Sequence, residues 1–365
     1  MKKIGVYIHV PFCIRKCPYC DFYSVKASQE NIEKYSLTVT EKIQKWGEAL
    51  NKSADTLYFG GGTPSCLSAK QLSAIANTAK NSFKIDDNAE ITAEINPTIS
   101  DFDFEYLRKN GFNRISVGVQ SANDDELKIL GRLHTSEQAK NCIEKIRKSG
   151  FENISLDLMI ATPTQTNDSL ERSIEFCARN NAQHISAYIL KIEKGTKFYT
   201  LKDRLKLPND DGQAEMYLFA CEKLKEYGYN QYEISNFSKS GFESRHNLKY
   251  WNDDEYIGIG PSAHSFIDGK RFYYSRSMKD FADGNYIADG IGGSEEEYIM
   301  LGLRLSKGIN NREYAKRFGH NIPDKYFLQA KKLMSAGYTE VTSDCIRLTT
   351  QGFIVSNSVI LFILS

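Results

Sequence analysis

Hydrophobic and polar positions in the first half of the chain follow two alternating patterns. Short β-branched runs predict six strands, at residues 4–9, 56–59, 91–94, 114–118, 154–158 and 184–189. Amphipathic stretches between them predict helices at residues 31–50, 68–81, 102–110, 136–150 and 167–180. Ser68 and Ser136 are candidate N-caps, and Gly111 and Gly150 are candidate C-terminal stops. Such βα units predict a parallel sheet with outer helices, and because six are too few for an eight-stranded barrel, we expect a partial (β/α)6 barrel.

The second half of the chain loses this alternation after about residue 200. A helical stretch at 211–227 and a short run at 232–237 lead into a Gly-, Asn- and Tyr-rich region that ends near residue 290. Later patterns predict a small helical, winged-helix-like domain, with helices at 294–304, 311–318 and 325–336 and strands at 339–341 and 346–348. We therefore expect an α/β protein with a barrel at 1–235, a connecting region at 236–293 and a C-terminal domain at 294–365.

Composition narrows the functional classes. Of the 365 residues, 41% are apolar and 25% are charged, which is ordinary for a globular protein. A net charge of +1 gives no electrostatic case for nucleic acid. The apolar tail at 354–364 is too short to span a bilayer. We expect a cytoplasmic protein without an integral membrane segment; peripheral membrane association and homodimer formation stay open.

The strongest chemical signal is the C-x3-C-x2-C triplet of Cys13, Cys17 and Cys20. Three thiolates in one loop suit a [4Fe–4S] cluster and leave one iron open to a small chelating molecule. A structural zinc site is the alternative; it would need a fourth ligand such as His9, and this spacing matches zinc modules poorly. We expect the other cysteines to be buried apolar residues: Cys66, Cys142, Cys177, Cys221 and Cys345.

Unusual residues follow or end each predicted strand. Because parallel βα folds place their sites at the carboxyl ends of the strands, we expect these residues to converge there. They are the cysteines, Gly60, Gly61, Gly62, Thr63, Glu94, Gln120, Asp157 and Tyr188. Taken singly, the glycine triplet could be a tight turn, and Glu94, Gln120 and Asp157 could each be a loop cap or a helix N-cap. Arg132 could neutralise a carboxylate or lie solvated on the surface.

The cysteine triplet resembles the signature of radical S-adenosylmethionine (SAM) enzymes. With the segment 7–13, the glycine triplet, Gln120, Arg132 and Asp157, nearly the whole chain is similar to the oxygen-independent coproporphyrinogen III oxidase family of that superfamily. The resemblance implies SAM on the open iron and its reductive cleavage to methionine and a 5′-deoxyadenosyl radical, with an unidentified electron donor. It implies SAM contacts by Tyr7, Gly61, Gly62, Thr63, Glu94, Gln120, Arg132 and Asp157.

Two departures separate the chain from the oxidases. Phe22 stands where they carry a further cysteine, and Cys13 lies almost at the start, without their long N-terminal arm. Both features resemble a sister group of heme chaperones, which also carries an H-N-x-x-Y-W motif. The resemblance implies heme as cargo, an acceptor hemoprotein as partner, and heme contacts by His246, Asn247, Tyr250 and Trp251.

The chemistry of this motif suits heme, because a neutral imidazole is a good axial ligand and aromatic rings can flank a porphyrin. His246 lies among polar residues, so we expect it in an exposed loop, and His264 is a second candidate ligand or part of the pocket wall. We expect His9 to support the cysteine loop.

Several alternatives stay open. The chain could be an enzyme that oxidatively decarboxylates coproporphyrinogen III to protoporphyrinogen IX, or a binding protein in which SAM is only structural; no catalytic residue is assigned. Ala161 and Thr164 also replace both glycines of the Gly-Leu-Pro-Gly-Gln-Thr turn that is usual in the family. If either position needs a positive φ, we expect backbone strain there and less efficient SAM cleavage.

Overall fold

The computed structural model describes residues 3–98 and 101–365. Its strands are β1 Ile4–Val10, β2 Phe12–Cys13, β3 Val25–Lys26, β4 Ala54–Gly61, β5 Glu90–Ile95, β6 Arg114–Gln120, β7 Asn153–Ile160, β8 His184–Ile189, β9 Asn230–Glu233, β10 Asn236–Ser238, β11 Tyr256–Ile259, β12 His264–Ile267, β13 Lys270–Tyr274, β14 Tyr286–Ile291, β15 Ile309–Asn310, β16 Thr339–Val341 and β17 Cys345–Leu348. Its α-helices are α1 Gln29–Leu50, α2 Ala69–Ser82, α3 Phe104–Lys109, α4 Asp124–Ile129, α5 Ser136–Lys148, α6 Asn167–Arg179, α7 Lys197–Leu201, α8 Asp210–Glu226, α9 Arg245–Trp251, α10 Met278–Asp283, α11 Glu295–Gly302, α12 Asn311–Phe318, α13 Asp324–Lys332, α14 Thr350–Ile354 and α15 Ser356–Leu364.

One open sheet organises the fold. Its twelve described strands run in the order β14-β13-β12-β11-β1-β4-β5-β6-β7-β8-β10-β9. The run from β1 through β4 to β8 is parallel, and β11 pairs parallel with β1 on the other side. The sheet does not close on itself, which confirms the predicted partial (β/α)6 barrel.

The helix boundaries confirm three of the four predicted capping and stop residues. Ser68 caps α2 in a capping box with Gln71, and Gly111 and Gly150 follow helices with φ of 94° and 86°. The predicted cap at Ser136 is wrong. Thr135 has the extended backbone of an N-cap and accepts a hydrogen bond from the Gln138 N–H, so Ser136 is the first helical residue.

The region that the sequence left without regular structure contains α9 and the strands β11 to β14. Every residue of β14 is exposed, so this strand carries no alternation of buried and exposed positions that a sequence pattern could reveal. Beyond it, α11 to α13 and a small sheet in the order β15-β17-β16 form the predicted C-terminal helical domain.

The barrel has a polar interior. Alternate apolar residues of β1 and β4, such as Val6 and Phe59, are fully buried in the hydrophobic core. The intervening residues include Tyr7, Thr56 and Tyr58, and their side chains contact other polar and aromatic groups inside the barrel. No helix within the described residues is long and apolar enough to cross a membrane.

Candidate functional site

The cysteine loop follows β1 and is fastened to its surroundings on several sides. Cys13 lies in β2, where its Sγ is 3.6 Å from the Thr63 hydroxyl oxygen. The Cys20 N–H donates to the Cys17 carbonyl oxygen over 3.1 Å, which folds the second half of the triplet into a turn. Burial raises the pKa of the Cys20 thiol, so that thiol is neutral until a metal displaces its proton. All three cysteines are half-buried and free of disulfides.

The chemistry of this donor set fits an iron–sulfur cluster better than a single ion. Among the described residues, no three His, Cys, Asp or Glu side chains are positioned around one metal ion. Each thiolate of a [4Fe–4S] cluster binds a different iron, so its cysteines do not converge on a single point. His9, the candidate fourth ligand for zinc, uses one ring nitrogen on the Tyr7 hydroxyl and the other on the Tyr23 carbonyl oxygen. The second of these bonds confirms that His9 supports the cysteine loop.

The glycine loop after β4 packs against the cysteine loop. The Gly62 and Thr63 N–H groups donate to the carbonyl oxygens of Val10 and Phe12, over 2.9 and 2.7 Å. Gly61 has a φ of 105°, and a Cβ atom there would lie 2.5 Å from the His9 ring. A Cβ atom at Gly62 would lie 2.6 Å from the Phe12 carbonyl oxygen. Neither position therefore has room for a side chain.

Two carboxylates of the predicted site lie inside the barrel. Burial and the nearby charge of Asp157 raise the pKa of Glu94 to about 7, and the Tyr58 hydroxyl donates to Glu94 over 2.8 Å. Burial also raises the pKa of Asp157, which accepts a 3.1 Å hydrogen bond from Ser116. Both side chains are therefore poised to accept hydrogen bonds from ligand hydroxyl or ammonium groups.

Arg132 connects the cysteine loop to two strand ends. Its guanidinium lies 3.7 Å from the Cys17 Sγ and donates to the Gly118 carbonyl oxygen over 2.7 Å and to Asn96 Oδ1 over 3.1 Å. Its buried Nε has no hydrogen-bond partner. The solvated-surface alternative is wrong for this arginine, and its Nε–H is a buried donor that lacks an acceptor in the protein.

The strand-end residues converge as expected. Tyr188, at the end of β8, donates to Gln120 at the end of β6 over 3.1 Å. Gln120 adopts a φ of 68°, in the left-handed region that residues other than glycine seldom occupy. Tyr58, Asn96 and Ser116 were not predicted as site residues from the sequence. Tyr58 and Ser116 lie two residues before Gly60 and Gly118, and therefore on the same face of their strands, which is the signal that could have indicated them.

His246 is not in an exposed loop; that expectation is wrong. It lies in α9 with 1% of its surface exposed, and burial lowers the pKa of His246 to about 3. One ring nitrogen is 2.8 Å from Thr56 Oγ1 and the other is 2.9 Å from the Tyr250 hydroxyl. Inward-facing barrel positions are polar, so polar neighbours in the sequence did not indicate exposure.

The H-N-x-x-Y-W motif lies at the opposite end of the barrel from the cysteines. Thr56, the partner of His246, is five residues before Gly61 in β4, a distance of about 16 Å along the strand. The Asn247 N–H bonds to the capping Ser244 side chain, whereas Trp251 stacks beneath Arg304 with 5.9 Å between that cation and the ring centroid. The structure therefore does not bring these four residues to the cysteine end.

Two smaller predictions have clear outcomes. Ala161 and Thr164 have φ values of 58° and 66°, which confirms that both positions need the conformation that favours glycine. Among the five other cysteines, Cys142 and Cys177 are buried as expected, whereas the remaining three are only half-buried: Cys66, Cys221 and Cys345.

An open (β/α)6 barrel with a cysteine triplet after its first strand defines the radical SAM class. The family model of the radical SAM superfamily matches residues 7–177, and that of the HemN C-terminal domain matches residues 296–355. The solved structure of coproporphyrinogen III oxidase (HemN) from Escherichia coli, a radical SAM enzyme, superposes with a TM-score of 0.84 over 99% of this chain and 90% of that one, at 21% identity.

Curated relatives narrow the class. The chain is 36% identical to the heme chaperone HemW of Bacillus subtilis over 97% of both sequences. It is 34% identical to HemW of Lactococcus lactis over 98% of this chain and 96% of the relative. A mitochondrial radical SAM domain-containing protein of Danio rerio is 37% identical over 86% of this chain and 75% of its own length. The chain belongs to the HemW family of radical SAM proteins.

Proposed function

We propose that the protein is a heme chaperone that binds a [4Fe–4S] cluster and SAM at the carboxyl ends of its barrel strands and delivers heme to an acceptor hemoprotein. The observation that carries the SAM site is Arg132, because this one guanidinium touches the cysteine loop and two strand ends while its Nε lacks a partner. The names of the HemW relatives support heme as the cargo.

We assign the cluster to Cys13, Cys17 and Cys20. When bound, the cluster supplies the electron for reductive cleavage of SAM. The chain's own groups orient the ligand: we assign SAM contacts to Tyr7, Gly61, Gly62, Thr63, Glu94, Gln120, Arg132 and Asp157. Glu94 and Asp157 would accept hydrogen bonds from hydroxyl or ammonium groups, Arg132 would pair with a carboxylate, and the glycines allow close backbone approach.

The heme assignment to His246, Asn247, Tyr250 and Trp251 stays a prediction with a structural condition. His246 can bind iron only if a ring nitrogen leaves Thr56 or Tyr250 and α9 moves outward from the barrel. We also propose the division into residues 1–235, 236–293 and 294–365; the two family matches fall within the first and third of these parts.

Anaerobic reconstitution tests the SAM site. The reconstituted wild-type protein should carry the iron of one cluster and form 5′-deoxyadenosine from SAM after reduction by dithionite. Arg132→Gln should keep the cluster and weaken SAM binding by about 10–100-fold, because a charge-assisted hydrogen bond is lost. Arg15→Gln is the control, since Arg15 is an exposed arginine of the cysteine loop whose guanidinium donates to the carbonyl oxygen of Gly131, beside Arg132. Wild-type protein that holds a cluster and forms no 5′-deoxyadenosine would contradict the radical part of the proposal.

The coproporphyrinogen oxidase alternative shares the fold, and its support is the HemN superposition at low identity. Product analysis with coproporphyrinogen III separates the two functions. The chaperone proposal predicts no protoporphyrinogen IX under conditions in which SAM is cleaved, and formation of that product would favour the oxidase.

A further inference from the structure

A histidine that serves as an axial heme ligand needs a ring nitrogen that is accessible and free. The chain has six histidines, and all lie in the described residues. Five of them have at least one ring nitrogen in a hydrogen bond with another group of the protein: His9, His134, His184, His246 and His320. The first four of these are also buried.

His264 differs from the other five. It is the first residue of β12, its side chain is exposed, and within the described part of the chain neither ring nitrogen has a hydrogen-bond partner. The ring stacks on Tyr273 with centroids 4.8 Å apart and planes inclined by 19°. Partial burial lowers the pKa of His264, which favours the neutral imidazole that ligates iron.

The surroundings of His264 form a flat, partly apolar face. His264 pairs with Tyr273 across β12 and β13, and Tyr273 pairs with Ile287 across β13 and β14. The three side chains therefore stand in one row over about 10 Å, on one face of the sheet. The side chain of Ile287 is 45% exposed. Phe272 of the opposite face is covered by Trp46 of α1, with stacked rings 5.4 Å apart, so the helix layer lies on the other side.

Charge and position suit a heme at this face. Arg276 and Arg271 are the cations near His264, and Asp289 is the anion. Arg271 is held by Asp253 and Glu297. Arg276 is mostly exposed, and its one ion pair within the described residues is with Asp21, directly after Cys20. An exposed arginine is a natural partner for a propionate. The face also adjoins the cluster region, because a Cβ atom at Gly260, four residues before His264, would lie 2.5 Å from the His9 carbonyl oxygen.

We propose that His264 is the axial ligand of the heme cargo, and that heme lies on the row of His264, Tyr273 and Ile287 with a propionate toward Arg276. This inference rests on the proposed function, because it assigns the cargo site of a heme chaperone. It places the cargo beside the cysteine loop, at the end of the barrel opposite the buried His246. It requires no displacement of α9.

A hemin titration of the full-length, cluster-reconstituted protein tests the assignment. We expect His264→Ala to weaken hemin binding at least about tenfold, since even the outer partners of a metal ligand contribute this much. Added imidazole should restore the Soret band of His264→Ala by supplying the missing ligand. His320→Ala is the matched control, because His320 is also exposed and lies in the C-terminal domain, and this variant should bind as the wild type does.

The outcomes separate the inference from the proposed function. If His264→Ala binds hemin with the same affinity and the same Soret spectrum as the wild type, the His264 assignment is overturned. Loss of binding in a folded His246→Ala protein, with His264→Ala unaffected, would overturn it in favour of the buried motif. A wild-type protein that shows no saturable hemin binding would overturn the proposed function and this assignment together.

Discussion

The imidazole of His246 is stacked on the ring of Tyr58, with ring centroids 5.2 Å apart and planes inclined by 24°. Tyr58 donates its hydroxyl hydrogen bond to Glu94, which belongs to the proposed SAM site. His246, near the amino ends of the strands, thus supports Glu94, nearer to their carboxyl ends, through Tyr58. His246 is therefore part of the packed interior that holds the ligand end of the barrel.

This relationship predicts the effect of His246→Ala on stability. The variant leaves a cavity and removes a partner from Thr56 and from Tyr250, so the free energy of unfolding should fall by about 2–4 kcal/mol. Urea denaturation measures the loss, with His320→Ala as the control because its partners are exposed. A loss below about 0.5 kcal/mol, the range of ordinary surface substitutions, would contradict the packed role.

Gly61 and Gly195 provide a matched pair for the glycine loop. Both have a positive φ, 105° and 88°, but a Cβ atom at Gly61 would meet the His9 ring whereas nothing lies within 4 Å of Gly195. Gly195→Ala should cost only the backbone strain, about 1 kcal/mol. Gly61→Ala should cost a further 1–3 kcal/mol, roughly, because the overlap displaces His9. Equal losses in urea denaturation would show that the loop accommodates a methyl group there.

Replacement of Thr164 by glycine should stabilise the protein. Its φ of 66° is unfavourable for a β-branched residue, and its side chain is exposed, so Thr164→Gly relieves strain without removing packing. We expect a gain of about 0.5–1 kcal/mol after the larger chain entropy of glycine is deducted. Thr162→Gly is the control: Thr162 is 1% exposed and is not in the positive-φ region, so this variant should lose stability. A thermal shift downward in Thr164→Gly would contradict the account of this turn.

Glu94 makes stability depend on pH. Its pKa is raised from 4.5 to about 7 in the folded protein, so the folded state binds more protons than the unfolded state between those values. The contribution of Glu94 to the free energy of unfolding is therefore fully present at low pH and is lost as the pH rises from about 4.5 to 7. At about 1.4 kcal/mol per pKa unit, Glu94→Gln should be up to about 3 kcal/mol more stable than wild type at pH 8, and nearly equal at pH 4.5.

Urea denaturation of the protein without cluster or SAM, at both pH values, checks this prediction. Glutamine keeps an oxygen that can accept the Tyr58 hydrogen bond, so packing is preserved in the variant. If the difference in free energy of unfolding between wild type and Glu94→Gln is the same at pH 4.5 and pH 8, the raised pKa of Glu94 is contradicted.

Features that depend on neighbours in the sequence were predictable, whereas features that depend on distant residues were not. The α2 boundary was predictable because the capping box of Ser68 and Gln71 is a contact between residues three positions apart. The strain at Thr164 was predictable because two glycines of a known turn are replaced. The burial of His246 was not, since it depends on Thr56, 190 positions away, and on a polar barrel interior.

The β11–β14 region shows the same limit. Its strands are short, and β14 is exposed on both faces, so the pairing of His264 with Tyr273 and of Tyr273 with Ile287 has no periodic trace in the sequence. His264 was visible as a candidate in the sequence. The exposure of its ring, and the lack of hydrogen-bond partners for its nitrogens among the described residues, depend on the fold around it.

The most direct test of the central claim is an anaerobic hemin titration of the cluster-reconstituted wild-type protein, followed by Soret difference spectra. We expect saturable binding at an equimolar ratio of heme to chain, with the spectrum of an imidazole-ligated heme. A difference signal that rises without saturation, like that of hemin with a protein that has no site, would contradict the assignment of this chain as a heme chaperone.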